Sequence, residues 1–550
     1  MDVDVGRVSL ALFSIFFVSR IFKFFSSLKR VNSLPGQRPP FQPFGLPGAL
    51  LPTTWWNLGA DMHWIKRKTL YQHSETVSIV PWFIGPSSIW CSNLDVARQV
   101  ASGGHKSCWI KPEEASQALL LWGMNLAASE GETWRRHRRV MGPAFNSKLY
   151  KLVWESSVRT YRDMIDTEGW DGKKEVKVES IQDLTFKFAL LLIGKCGFGF
   201  NFTWADPPKS SSTTKMPVQE AIRTVADTYM LFVFAPRWVK WLPFEKFRHA
   251  RQAYSELEGF MREQVAQRRA AYNSSQDSSS SNNDNNGTAT QGSDAFSLLV
   301  SANEDSESKY KLDDEELIGN VFVMLFAGHE TTAHTLAATL GFLAVYDEFQ
   351  EEAAKEIIDV VGMERDPIFE DYPKFVKTAS CFFEALRMFP AGHVMVRKAT
   401  EDTVLNVPPP RNQDQQDQQD TSESKLIPMP IPKGTDVIID MIGVQYNPRY
   451  FPDPHTYKPS RWHGLGNMDS EGFTAFSIGP RACIGRRFAT TEAICFLACL
   501  LKDYKVEPDL KMKPDGTKET KSEWKSRVLD AKIVLTLGVK DVPVKFVKRG

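Results

Sequence analysis

"DDEELIGNVFVMLFAGHETTAHTLAATLGFLAV", Asp313 to Val345, decides how this chain folds. Asp313 and Glu316 have the spacing of a capping box, in which each side chain satisfies a backbone N–H at the start of a helix. Apolar residues then continue to about Val345 without a proline, which predicts a helix of about 30 residues, some ~45 Å long at ~1.5 Å per residue. Apolar side chains fall on nearly every face, so the helix belongs at the centre of a large protein. Within it, "LFAGHETTAH", Leu325 to His334, interrupts the apolar run with Glu330, Thr331, Thr332 and two histidines. Buried polar groups without partners cost roughly 2–7 kcal/mol each, so the interruption predicts polar chemistry beside the helix.

The pair His-Glu on a helix invites comparison with zinc proteases, where two histidines four apart flank a catalytic glutamate. Here position 333 is alanine and the second histidine is His334. An offset of five turns the ring ~140° around the helix, so His329 and His334 do not converge on one metal.

A second stretch, "FSIGPRACIGRRFA", Phe476 to Ala489, sets Cys483 in a glycine-containing loop. Gly479 and Gly485 permit a tight turn and close backbone approach. Loop N–H groups and a helix starting at Arg486 favour a thiolate over a thiol, which makes this a ligand loop.

Together these stretches resemble the cytochrome P450 family. Phe476, Gly479, Arg481, Cys483 and Gly485 match its F-x-x-G-x-R-x-C-x-G haem loop, and Ala327, Gly328, Glu330, Thr331 and Thr332 match its oxygen-activating helix motif. "EALR" supplies Glu384 and Arg387 of the E-x-x-R pair, "FPDPHTYKPSRW" brings Arg461 to that pair, and "WRRHR" supplies Trp134 and Arg138. Trp462 stands where phenylalanine is commoner in the family. The resemblance covers the chain from about Pro35 to its end.

The resemblance implies a mainly α fold, a single helical domain with small β-sheets, preceded by an N-terminal transmembrane helix. It implies haem b (iron protoporphyrin IX) with Cys483 as axial iron ligand, whose electron density favours O–O cleavage. Arg138, Arg397 and Arg481, with the Trp134 indole, would meet the haem propionates, which need paired cations in an apolar slot. Glu384, Arg387 and Arg461 would form a buried ion network that positions the loop. Ala327 and Gly328 would allow close approach to the porphyrin. Thr331 and Glu330 would deliver protons to dioxygen, Glu330 linking to solvent. A threonine hydroxyl bonded back one turn would open the helix locally.

The implied reaction is monooxygenation of a lipophilic substrate, a terpenoid or other specialised metabolite among the candidates. Segments 106–125, 221–244 and 390–396 would line or cover its pocket. A haem-thiolate isomerase or dehydratase that needs no reductase is the nearest alternative, and a non-catalytic haem protein the next. Glu330 together with Thr331 favours the monooxygenase. Only 67 residues follow Cys483 and they carry no dinucleotide fingerprint, and the resemblance implies a separate NADPH-dependent flavoprotein reductase as electron source, with a cytochrome b5-type protein as a further donor. Arg135, Arg136, Arg139, Arg486 and Arg487 are candidates for its docking face.

Gross features agree. The 67 basic and 66 acidic residues nearly cancel, which gives no reason to expect nucleic acid. Seven scattered cysteines form no disulfide framework. Val8 to Phe25 is apolar apart from Arg20 and Lys23, no cleavage site follows, and Lys29 and Arg30 come next. The expected organisation is a retained anchor (1–30), a stiff Pro/Gly-rich linker (31–52) and a haem-thiolate domain (53–550). Two low-complexity stretches, 273–294 and 408–425, read as mobile surface loops. The charge bias predicts a body in the cytosol, and the resemblance implies a single-pass protein of the endoplasmic reticulum membrane.

Overall fold

Asp313 starts the core helix as its spacing predicts: its carboxylate accepts from the Glu316 N–H at 2.8 Å, and Glu316 accepts from the Asp313 N–H at 3.1 Å. The helix runs Asp314–Val345, 32 residues. From Glu316 to Ala344 every residue is buried except Ala327, Gly328, Glu330, Thr331 and His334. In this computed structural model all residues are described except 1–4, 103–106, 118, 201, 206–215, 235–237, 239–240, 280–293, 305–309, 411–425, 465–471 and 534–535. The chain is mainly helical, with small sheets.

It divides into two units. The larger comprises Glu113–Ala391, Tyr457–Ser470 and Cys483–Gly550. Here the core helix packs on the helices Ile181–Leu192 and Val376–Met388. Leu317, Phe322, Leu325 and Phe326 join Leu190, Ile193, Val225 and Leu299 in its main apolar cluster. Full burial of each such side chain contributes about 1.5–3 kcal/mol, which is what holds an all-round apolar helix in place. A three-stranded antiparallel sheet, Glu175–Val178, Val544–Lys548 and Tyr504–Pro508, belongs to the same unit.

The smaller unit, Met1–Pro112, Gly392–Thr456 and Glu471–Ala482, is built on a six-stranded mixed sheet. Its strand order is Gly36–Gln37, Thr76–Ile79, Ser88–Cys91, Asp436–Asp440, Val394–Ala399, Trp109–Ile110. Alternation sends Ile89, Cys91, Val437 and Ile439 into one apolar cluster and Val77, Ile79, Trp90 and Ile438 into another, so the central strands are covered on both faces.

The helix Val5–Arg30 is long and apolar enough to cross a membrane, with mean hydropathy 1.5 over Ser9–Arg30. The segment expected as a linker after it makes contacts of its own. Phe24 and Leu28 pack on the smaller unit's apolar cluster, and Val31 is fully buried there. Asn32 donates to Pro430 O at 2.7 Å, and Gly36–Gln37 forms the parallel edge strand of the sheet. The segment's backbone groups still need partners, which the sheet edge supplies at Gly36–Gln37, and Leu46–Leu50 forms a short helix with Pro47 in its first turn. Asn273 to Ser279 continue the long helix Glu245–Ser279 instead of beginning a loop. The rest of that low-complexity stretch up to residue 293, and residues 411–425 of the second, lie outside the described residues. The second stretch joins the paired strands Thr403–Val407 and Ile427–Ile431.

Candidate functional site

The exposed spot on the core helix falls on the predicted motif. Ala327 is open and Thr331, one turn later on the same face, is half-buried, in a helix otherwise enclosed. The Thr331 hydroxyl donates to Ala327 O at 3.0 Å, Thr335 donates to Thr331 O at 2.9 Å, and Thr339 donates to Thr335 O at 2.7 Å. These back-bonds leave the helix continuous, so the local opening expected from them is absent. A Cβ on Gly328 would meet Ile193 at 3.0 Å, in the π-helical turn Ile193–Gly197.

Glu330 accepts from the Thr536 hydroxyl at 2.7 Å and lies 4.0 Å from His334 Nε2. Burial raises its carboxyl above the ordinary range, Asp227 adds to the rise, and Thr536 opposes it. The carboxyl is thus biased toward the acid form, as a proton donor requires. His329 is buried, donates from Nδ1 to Leu325 O at 2.7 Å, and has its pKa lowered by burial. His334 meets Phe186 edge-on at 4.8 Å. Neither Thr536 nor Ile193 carries a sequence signal; each reaches the motif through the fold.

Cys483 is a free cysteine with an exposed side chain. Burial raises its pKa. The N–H groups of Gly485 and Arg486 and the charges of Arg138 and Arg486 lower it. The predicted dipoles therefore act in the expected direction, against desolvation. A Cβ on Gly485 would meet only the Cys483 sulfur, at 3.9 Å, so glycine keeps space beside the sulfur and the turn does not demand it.

Trp134 and Arg138 lie on the helix Gly131–Met141, with Trp134 buried. The Arg138 guanidinium has no carboxylate partner among the described residues, and its charge reaches Cys483. Between them, buried His137 meets Asn320 Nδ2 at 2.8 Å and Glu316 at 3.4 Å, fastening this helix to the core helix. Arg136 also pairs with Glu316, and Arg139 donates to Tyr310. Arg487 lies 4.2 Å over the Tyr372 ring. These three arginines of the expected docking face thus already have partners within the chain.

The ion network forms with one addition. Glu384 accepts from Arg387 Nε and Nη2, both at 2.9 Å, and from Arg461 Nε at 3.2 Å, with Glu384 and Arg387 fully buried. The Trp462 indole donates to the same carboxylate at 3.0 Å and the Lys458 N–H at 3.0 Å. Glu492, also missed by the sequence reading, is fully buried, and burial raises its carboxyl well above the ordinary range against the opposing Thr332 hydroxyl.

The remaining predicted residues belong to the smaller unit. Arg397 is buried on the strand Val394–Ala399 and donates to Val396 O at 2.8 Å. Phe476 packs edge-on with Phe473 at 6.1 Å. Gly479 has φ +72° and a Cβ there would lie 2.9 Å from Ala101 O, so only glycine fits. Arg481 closes the short turn Gly479–Arg481.

The larger unit therefore carries an accessible sulfur, an arginine without a carboxylate, and an exposed Ala327–Thr331 face on an otherwise enclosed helix. That donor set fits a haem with an anionic periphery.

The Cytochrome P450 family profile matches residues 51–407 and 410–530. The chain is 34% identical over 443 residues to cytochrome P450 monooxygenase 124 of Postia placenta, covering 80% of this chain and 79% of that protein. It is 26% identical over 482 residues to cytochrome P450 monooxygenase prx9 of Penicillium rubens, covering 81% and 78%. Human cytochrome P450 4F11 is 26% identical over 400 residues, 70% and 69% of the two chains. With the haem loop, the core-helix motif and the ion network in register, the chain belongs to the cytochrome P450 family and is an oxidoreductase, a haem- and dioxygen-using monooxygenase.

Proposed function

We propose that the protein is a membrane-anchored monooxygenase that places one atom of dioxygen into a lipophilic substrate, by hydroxylation or epoxidation, with a terpenoid or other specialised metabolite as the substrate class. The observation that carries the reading is the conjunction of the open Cys483 sulfur, the uncompensated Arg138 charge and the exposed Ala327–Thr331 face in one unit. Haem b, when bound, supplies dioxygen activation. Cys483 would hold its iron, and Arg138, Arg397, Arg481 and the Trp134 indole would hold its propionates. Phe476, Gly479 and Gly485 would shape the loop around the sulfur.

Burial raises the Glu330 pKa, which suits it to pass a proton, and Thr331 offers a hydroxyl on the exposed face one residue away. Electrons would come from a separate NADPH-dependent flavoprotein reductase, with a cytochrome b5-type protein as alternative donor. The apolar helix Ser9–Arg30 supports a single-pass anchor in the endoplasmic reticulum membrane, with the body in the cytosol.

The test is turnover of a lipophilic library by the full chain reconstituted with reductase and NADPH under isotope-labelled dioxygen. One labelled oxygen in the product is expected. Unlabelled product formed without NADPH would favour an isomerase or dehydratase instead.

A further inference from the structure

We propose that Asn320 and His137 are positioning residues for the haem site: they hold the helix bearing Trp134 and Arg138 on the core helix only while the His137 ring is neutral, so that acid loosens haem retention. The inference rests on the haem reading above and names residues which that reading does not use.

The amide of Asn320 has a single allowed orientation. Asn320 is fully buried on the core helix. Its Oδ1 accepts from the Leu126 N–H at 2.8 Å, and its Nδ2 donates to Glu316 O at 2.7 Å. A backbone donor on one side and a backbone acceptor on the other fix which end of the amide is which. The second Nδ2 hydrogen then points at His137 Nδ1, 2.8 Å away. That nitrogen must accept, so the ring proton sits on Nε2, which faces Glu316 Oε1 at 3.4 Å. A proton on Nδ1 would set donor against donor. Turning the amide over would only move the conflict, with Nδ2 against the Leu126 N–H and Oδ1 against Glu316 O.

Three segments meet at this amide. The core helix supplies Asn320 and Glu316, the helix Gly131–Met141 supplies His137, and the loop before it supplies Leu126. Loop and core helix touch at backbone distance, since a Cβ on Gly319 would lie 2.7 Å from the carbonyls of Gly123 and Met124. His137 precedes Arg138, whose charge reaches Cys483, and lies one turn after Trp134. A shift of His137 therefore carries both haem-directed side chains with it.

The charged groups facing the ring are Glu316 from the core helix and Arg136 from its own, and these two pair with each other. Loop residues 119–126 contain no titratable side chain. On the helix Ala295–Glu304, which also packs here, the one titratable group is Glu304, paired with Arg269. Burial is the largest influence on His137 and lowers its pKa. A base whose folded pKa lies below its unfolded value of ~6.5 binds its proton more weakly when folded. The lock is thus complete above about pH 6.5 and is lost as pH falls towards the folded pKa.

The test compares wild-type holoprotein with His137→Gln and His137→Leu, reading transfer of haem to excess apomyoglobin from about pH 7.5 down to about pH 5.5. Glutamine offers an oxygen to Asn320 and an N–H to Glu316, and it has no proton to gain. Across that range the wild-type rate should rise about tenfold more than the rate of either variant. At the neutral end His137→Gln should match wild type, and His137→Leu should release haem faster. Nuclear magnetic resonance of isotope-labelled histidine in the diamagnetic ferrous carbon monoxide form supplies a second readout. The His137 signal, assigned by its loss in His137→Gln, should show the proton on Nε2 at neutral pH. Parallel pH profiles for wild type and His137→Gln, a glutamine variant as leaky as leucine at neutral pH, or a proton on Nδ1 would each overturn the inference and leave the haem reading standing. A wild-type chain that takes up no haem would overturn both.

Discussion

The Trp462 indole donates to Glu384 at 3.0 Å, completing a buried carboxylate that Arg387 and Arg461 alone would leave under-satisfied. Trp462 sits on the short turn Pro459–Trp462, which packs on the helix carrying Glu384 and Arg387. Tyr457, just before that turn, stacks on Phe342 of the core helix at 4.3 Å and donates to Cys381 O at 3.0 Å. A residue that departs from the commoner family choice therefore ties the ion network together.

Trp462→Phe keeps an aromatic ring and removes the donor. The expected cost is about 1–3 kcal/mol, the penalty for leaving a buried acceptor short of a partner. Glu384→Ala should cost more, about 3–5 kcal/mol, because it removes the carboxylate that buried Arg387 pairs with. Urea unfolding of the two variants checks the order; equal stability of Trp462→Phe and wild type would deny the indole its role.

Thr331→Ala removes the hydroxyl on the exposed face of the core helix but leaves the helix intact. Peroxide released per NADPH consumed should rise several-fold, while Thr331→Ser should stay near wild type. Unchanged coupling in Thr331→Ala would exclude the hydroxyl from proton delivery.

Gly538 has no room for a side chain: a Cβ would lie 2.1 Å from the His334 ring, itself 4.0 Å from Glu330. Gly538→Ala should destabilise by about 1–3 kcal/mol through overpacking. His334→Ala in the same chain should recover much of that loss. A melting temperature unaffected by Gly538→Ala would contradict this packing.

Asp440 is fully buried, and desolvation pushes its carboxyl from 3.8 to about 7 against hydrogen bonds from Gly443 N–H and Tyr71. Its folded pKa exceeds its unfolded one, so the folded state binds the proton more tightly between those values. The associated stability is full at low pH and is lost as pH rises from about 4 through about 7. Asp440→Asn, which can still cap the following turn, should flatten that part of the stability profile. Urea midpoints at about pH 5 and about pH 8 give the comparison; an unchanged slope in the variant would rule Asp440 out as its source.

Local patterns in the sequence were read well where the physics is local. The Asp313–Glu316 cap and the proline-free apolar run settled the core helix almost to the residue, and the Thr331 back-bond follows from a spacing of four. Contacts that depend on distant chain were not legible. Thr536 reaches Glu330 across 206 positions, and Ile193 meets Gly328 only because a π-turn brings it in. The Pro/Gly-rich stretch after the anchor looked like a spacer because composition reports stiffness and not the edge-strand pairing that absorbs it.

The central claim is that Cys483 is the axial ligand of a bound haem. The absorption spectrum of the purified full-length chain, reduced with dithionite and saturated with carbon monoxide, tests it most directly. The account predicts the strongly red-shifted Soret band of thiolate-ligated haem, lost in Cys483→Ala. A band at the position typical of histidine ligation, or a well-folded chain that takes up no haem, would contradict it.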